Sequence, residues 1–348
     1  MKKYFTTLFL SLLLTTIINA QSPQMTWNTG SWQKGIDASA TYDVNGNDFL
    51  VLSNSKNGNA WIFKLTADGK VGDMTWSTSS WQKGINTIAT YKAGDRNYLI
   101  LSNPTNGTAW IYELWDNGEV GNETWITNGW EHGINAIEPF SAGNNNFVIL
   151  SNPTTGTAWI YGLNANGTMG GEFWKTTGWE KGISAIDTYK SGEQNFLFLC
   201  NPMNGHAWIY GLNAEGTVGG QCWSTTGWEK GISAINCFPA VGQNYILLSA
   251  PDFGKAWVFA LGTDGKSCEH IWGTSNWNKG IVSLSNYETT DSYYEVLVNS
   301  TEGKAWIFTN FHKTVTEEVA EEETIDDQTK KLDDAIKKVE DKLKSLFK

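Results

Sequence analysis

Short runs of alternating apolar and polar residues, broken by glycine-centred turns, return every 49 residues six times over without an insertion or deletion. The fourth copy is the clearest, with period-2 segments at 183–189, 195–199, 207–212 and 217–223, rich in β-branched and aromatic residues, which predict four short strands. The third segment opens with Ala-Trp in every copy and continues with Ile or Val and then an aromatic residue. Ala207 and Ile209 fall on one face of it and Trp208 and Tyr210 on the other, so both faces are apolar. That pattern predicts a strand buried on both sides between packed layers. Between the third and fourth segments stand Asp68-Gly69, Asn117-Gly118, Asn166-Gly167, Glu215-Gly216 and Asp264-Gly265, pairs that suit a tight hairpin turn. No further carboxylates follow them at calcium-loop spacing.

A repeat of this length is one supersecondary unit that cannot bury its apolar face alone, so neighbouring units must stack. Four strands per unit and six units predict an all-β, six-bladed β-propeller over 21–312. The sixth copy loses the pattern after Phe308, one strand short, while the chain opens with a spare strand at 25–28. Pairing that strand with the third strand of the last unit would close the ring and remove an exposed edge. Beyond the repeats an acidic linker is expected at 313–324 and an amphipathic helix at 325–348. There Ile325, Thr329, Leu332, Ile336, Val339, Leu343 and Leu346 follow alternating steps of four and three. Such a seam predicts a coiled coil and self-association through this tail, rather than a helix laid on the propeller.

Tryptophan marks the repeat. Eighteen of the 19 tryptophans hold three fixed positions, and only Trp115 stands outside them. The first set is Trp27, Trp76, Trp125, Trp174, Trp223 and Trp272; the third is Trp61, Trp110, Trp159, Trp208, Trp257 and Trp306. Both lie in predicted strands and read as packing between blades. The second set, Trp32, Trp81, Trp130, Trp179, Trp228 and Trp277, falls in the loop that leads into each unit, where ligand contact and packing are both open.

Charge and composition narrow the chemistry. At the N-terminus Lys2 and Lys3 precede an apolar run over 4–18 and a small residue, Ala20, which reads as a secretory signal at 1–20 and predicts a secreted or periplasmic protein. That run is shorter than a membrane-spanning helix needs, and no integral membrane segment is expected after its removal. Loss of the two lysines takes the net charge from -11 to -13, so nucleic acid is excluded as an expected partner. Arg96 is the only arginine, which also disfavours anionic ligands. Cys200, Cys222, Cys237 and Cys268 occupy unrelated repeat positions and allow either disulfides or free thiols. No metal site, cofactor or catalytic set is expected: the four histidines sit in unrelated contexts, and no nucleophile elbow or zincin pattern occurs.

Chemistry is better sought in what the copies hold in common. The loop of the second tryptophan carries an amide or acid at Gln33, Gln82, Glu131, Glu180, Glu229 and Asn278. Lysine follows at Lys34, Lys83, Lys181, Lys230 and Lys279, with His132 in the remaining copy. In a propeller this loop lies on the same face as the loop between second and third strands. The latter carries Asn54, Asn103, Asn152, Asn201 and Asn299, with Ala250 the exception. One face is thus expected to show six similar patches, while the opposite face varies. A flat aromatic beside fixed polar groups suits a sugar ring.

The region 25–310 resembles in architecture the Trp-rich repeat propeller lectins of the tachylectin and tectonin type. Their own repeat motifs are not present, so no site residue is carried across. The resemblance implies several equivalent, shallow carbohydrate sites. The expected function is a secreted, multivalent glycan-binding protein. The alternative is a non-catalytic protein-interaction or adhesion ring in which every tryptophan packs, and a glycoside-acting enzyme comes third.

Overall fold

In the computed structural model the described residues are 17–20, 22–290, 292–309 and 313–316, the first and last of these segments by backbone alone. Six four-stranded antiparallel sheets make six blades. Blade 1 runs Ile36–Val44, Asn47–Asn54, Asn59–Leu65 and Val71–Thr78, from first strand to fourth. Blades 2 to 5 repeat this order over 87–127, 136–176, 185–225 and 234–274. Blade 6 takes Ile281–Glu288, Tyr293–Asn299 and Lys304–Thr309 from one end of the repeats and Gln24–Thr29 from the other. Asn28 pairs with Trp306, Trp27 with Ile307 and Met25 with Phe308, so the spare N-terminal strand closes the ring.

The first strands of successive blades surround the axis, where Thr90 Oγ1 donates to the Thr41 carbonyl (2.6 Å) and Asn286 Nδ2 to the Cys237 carbonyl (2.9 Å). Blades radiate from that axis, so the gap between neighbours widens outward, and side-chain size follows it. Near the axis the first strand supplies small residues such as Ala38, Ala40 and Ala89, the second strand Leu, Ile, Val and Phe, and the third and fourth strands tryptophan. Close packing demands this gradient. It also corrects one expectation: the strand buried on both faces is the second, where Leu50, Val51 and Leu52 are all at 0% exposure. In the third strand only the Ala60/Ile62 face is fully buried, and Trp61 and Phe63 stay half-buried. There the blades have diverged too far to seal the gap.

Each interface holds one apolar cluster drawn from two adjacent blades, six clusters in all. The third-to-fourth-strand hairpins bind neighbours together as well. Gly167, at φ +78°, lies so close to the Tyr98 ring of the preceding blade that a Cβ would sit 2.2 Å from a ring carbon. Conformation and contact both require glycine here.

The expected helical tail does not stand as part of the fold. Among the described residues there is no helix, and Lys313–Thr316, assigned from sequence to the start of an acidic linker, is a strand pairing with Ile17–Ala20 in a separate two-stranded sheet. The heptad segment at 325–348 lies outside the described residues, as do residues 1–16 of the expected export signal.

Candidate functional site

The loop leading into each blade is fastened to two blades at once. In the loop into blade 4, the Trp179 N–H donates to the Gly156 carbonyl of blade 3 (3.2 Å) and the Gly182 N–H to the Pro153 carbonyl (2.8 Å). Gly156 has φ +74°, and a Cβ on it would lie 2.4 Å from the Trp179 carbonyl oxygen, so glycine alone permits the approach. From blade 4, Asn201 Nδ2 donates to the Lys181 carbonyl (2.9 Å) and to Glu180 Oε1 (2.6 Å). The tryptophan-to-glycine bond recurs at Trp81, Trp130, Trp228 and Trp277 over 2.9–3.2 Å.

This geometry gives the conserved-looking asparagines a structural task. Asn54, Asn103, Asn152, Asn201 and Asn299 are at 0–1% exposure. Each donates to the loop carbonyl of Lys34, Lys83, His132, Lys181 or Lys279 at 2.7–2.9 Å, and each accepts a backbone N–H two residues on. Direct contact with a ligand, expected of them from sequence, does not fall to these side chains: they lie behind the surface with their amides engaged. The lysine side chains at Lys34, Lys83, Lys181, Lys230 and Lys279 are exposed.

The acid or amide after each loop tryptophan stands between the two settings. Gln33 Oε1 accepts from Asn54, Asn57 and Asn59 (2.9–3.2 Å), and Gln82 Oε1 from Asn103 and Asn106 (2.8 and 2.9 Å). Glu131 Oε1 takes Asn152 (2.6 Å) and Thr155 (2.9 Å). Glu180 adds Asn204 and, through Oε2, His206 Nδ1 at 2.9 Å. Partial burial pushes the Glu180 carboxyl up, but the bonds from Asn204 and His206 outweigh it and hold the pKa below the usual value. Where Ala250 replaces the asparagine, Glu229 pairs instead with Lys255 Nζ at 2.6 Å. Asn278 is exposed at the same place in the sixth loop.

All three tryptophan sets meet at the rim of each blade interface. The first-set residue of one blade and the loop residue that follows it are in contact in all six copies, with ring centroids 5.6–5.9 Å apart and planes at 47–53°. Across the gap lie the third-set tryptophan and an aromatic two residues on, both from the following blade. Between blades 2 and 3, Trp130, Glu131, Trp159, Tyr161, Glu172 and Lys175 line a cleft of about 290 Å³. Its counterpart between blades 4 and 5, lined by Trp228, Glu229, Trp257, Phe259 and His270, measures about 310 Å³, and that between blades 1 and 2 about 390 Å³. These volumes sit at the small end of ligand sites. Of the eighteen tryptophans only Trp159 is buried, at 5% exposure, with Lys175 Nζ 5.6 Å from its ring centre. Sequence reasoning assigned the first and third sets to packing, and both do pack against the core clusters, but the third-set tryptophan also lines each of these three clefts and Trp76 of the first set lines one. The signal was the all-aromatic face of the third strand, whose partial exposure depends on how far the blades diverge.

Two other places hold chemistry, and neither repeats. A cavity of about 950 Å³ opens on the opposite face between blades 6 and 1, beside Asp43, Asp48, Lys64 and Glu288. Burial, reinforced by the charges of Asp43 and Glu288, raises Asp48 to about 6. At the axis, Glu138 and Asp187 face one another across blades 3 and 4, with Asp187 accepting the Thr188 and Cys237 N–H groups. Asn236 Nδ2 donates to both oxygens of Glu295 (3.0 and 3.2 Å). Burial raises Asp187 to about 7 and pushes Glu138 and Glu295 well above the carboxylate range. Among the described residues no group of three or more His, Cys, Asp or Glu is placed to hold a metal ion. All four cysteines are free, and burial pushes the Cys200 and Cys268 thiols up to about 12, away from the reactive thiolate.

No protein-family model matches the chain, and neither does any curated protein sequence. Solved structures do. The major allergen Mala s 1 of Malassezia sympodialis is similar over 83% of this chain and 97% of its own, at 13% identity and a TM-score of 0.55. A Lactobacillus plantarum protein, structural genomics target LpR118, covers 81% of this chain and 86% of its own at 15% identity and a TM-score of 0.52. The periplasmic gluconolactonase PpgL of Pseudomonas aeruginosa covers 70% and 71% at 11% identity and a TM-score of 0.50. At these identities the likeness is one of fold, and the fold is a β-propeller.

Proposed function

We propose that the protein is an exported, multivalent saccharide-binding propeller whose sites are the clefts between blades, on the face that carries the tryptophan loops. The observation that carries this reading is the sixfold recurrence of a half-open tryptophan pair at near-constant geometry on a loop fastened to both flanking blades. A pyranose stacks its C–H face on such a wall and places hydroxyls against the amide or acid at the rim. A rigid aromatic wall loses little entropy on binding. Weak single sites near millimolar affinity represent only about 4 kcal/mol each. Several on one face raise avidity by roughly 10² to 10⁴ without a new contact. The basic, apolar N-terminal stretch supports export, and N-terminal sequencing of the mature protein tests it.

A glycan array probed with the folded protein tests the main reading, and an array without a single bound saccharide overturns it. The same tryptophan pairs also support the second reading, a protein-interaction ring, since they pack on one another. Trp130→Ala, Trp179→Ala and Trp228→Ala separate the two: lost saccharide binding with the fold retained fits the first, and lost stability without a ligand phenotype fits the second.

A further inference from the structure

The six blade interfaces share their tryptophans but not their outer wall. Two residues beyond the third-set tryptophan the repeat carries tyrosine at Tyr112, Tyr161 and Tyr210, and phenylalanine at Phe259, Phe308 and Phe63. The residue paired with each on the fourth strand changes in step. Tyr112 faces Glu123, Tyr161 faces Glu172 and Tyr210 faces Gln221, whereas Phe259 faces His270, Phe308 faces Met25 and Phe63 faces Met74. In the tyrosine copies the hydroxyl donates to the acid or amide oxygen at 3.3 Å each time. Those clefts are consecutive, at the interfaces of blades 1 and 2, 2 and 3, and 3 and 4.

Cross-strand pairing alone accounts for a hydrogen bond within a sheet, but Tyr161 and Glu172 both line the cleft between blades 2 and 3, Tyr112 lines that between blades 1 and 2, and Tyr210 packs at the equivalent place between blades 3 and 4. Tyrosine oxygen keeps lone pairs to accept from a ligand, the second carboxylate oxygen of Glu123 and Glu172 remains as an acceptor on an exposed residue, and Gln221 keeps a lone pair on Oε1 while its Nε2 donates to Ser224 Oγ (3.1 Å). Two neighbouring hydroxyls of a saccharide can use both: one donates to Glu or Gln, the other bonds the tyrosine oxygen. Phenylalanine with methionine provides no such partner, and His270 turns its ring edge-on to Phe259 at 76° and 5.3 Å. The carboxylates Glu123 and Glu172 further select neutral over acidic sugars.

We propose that the ring is functionally two-sided: the three consecutive tyrosine clefts bind neutral saccharides through a vicinal pair of hydroxyls, and the three phenylalanine clefts do not. This rests on the saccharide reading above.

Fluorine NMR of protein labelled with 5-fluorotryptophan, titrated to about 100 mM with the methyl glycosides of glucose, galactose, mannose and fucose, tests it cleft by cleft. Resonances of Trp81, Trp130 and Trp179 should move, while those of Trp228, Trp277 and Trp32 stay. The triple variant Y112F/Y161F/Y210F uses residues that the other blades already accommodate, so its thermal transition should match the parent. Its binding should weaken by about fivefold or more, as the loss of a hydrogen-bonding group implies. Conversely F63Y/M74E should bring Trp32 into the responding set. Equal shifts at all six loops, or a triple variant that binds like the parent, overturn the two-sided ring and leave saccharide binding in place. No shift with any of the four glycosides overturns the saccharide reading and this inference together.

Discussion

The axis and the rim of this propeller are built from the same repeat, and they use it in opposite ways. At the rim the Trp-Gln/Glu/Asn-Lys/His-Gly loop recurs six times with near-constant ring geometry. At the axis one repeat position reads Ala40, Ala89, Glu138, Asp187, Asn236 and Ser285, so the copies diverge where their first strands converge. Six identical large side chains cannot meet in a narrow channel, and six identical acids would repel. The wide rim has neither constraint. Repetition therefore survives where space grows, and individuality appears where symmetry brings equivalent residues together.

Stability and function should separate along the same radius. The largest effect is expected from the sealed middle of a blade: Ile160→Ala, at 0% exposure, should lower unfolding free energy by about 2–5 kcal/mol in chemical denaturation. Asn152→Ala should cost about 1–3 kcal/mol, since it removes the side-chain partner of the His132 carbonyl and the Thr154 N–H and leaves Glu131 with Thr155 alone. An equal loss from truncating Trp130 would blur the boundary between a structural middle and the rim proposed to bind saccharide.

The axial acids give a pH signature opposite in sign to that of Glu180 at the rim, whose pKa is held below the usual value. Burial raises Asp187 to about 7 and holds Glu138 and Glu295 higher than an exposed carboxyl. Between about pH 4, where an unfolded carboxylate ionises, and pH 7, the folded protein retains protons that the unfolded chain has released. The contribution of Asp187 is complete below that window and is lost as pH rises through it, and Glu138 and Glu295, raised in the same direction, act with the same sign. The melting temperature should fall by several degrees from pH 5 to pH 8, and E138Q/D187N should flatten that slope. A slope unchanged in the double variant would place its origin elsewhere. Smallest of all, K83A and K181A should alter stability by no more than about 0.5 kcal/mol, since both side chains are exposed.

Much of the fold was legible in the chain. The 49-residue period, the Ala-Trp strands and the Asn-Gly turns led to six blades, and the surplus strand near Met25 led to the closure observed against Phe308. The pairing of the tryptophan loop with the asparagine loop on one face was legible as well, because propeller connectivity puts them there. Reading Asn201 as a ligand contact went astray because a polar residue repeated in a loop looks the same whether it faces solvent or fastens a carbonyl behind it. The third tryptophan set was assigned to packing, which holds for the buried Trp159, while Trp110 and Trp257 pack and also stand half-open, because alternation tells which residues share a face, not how far away the next face lies. The expected tail beyond the propeller gained no support, and a strand stands at Lys313–Thr316 where linker was expected.

By itself the sequence determined how many units there are, what each consists of and how the ring shuts, since those follow from periodicity and local backbone preference. Only the tertiary structure decided which tryptophan rings stay half-open at the rim. Local patterning places an aromatic on a strand, but its exposure is set by the angle between two separate blades, and that angle opens the clefts seen between blades 1 and 2, 2 and 3, and 4 and 5.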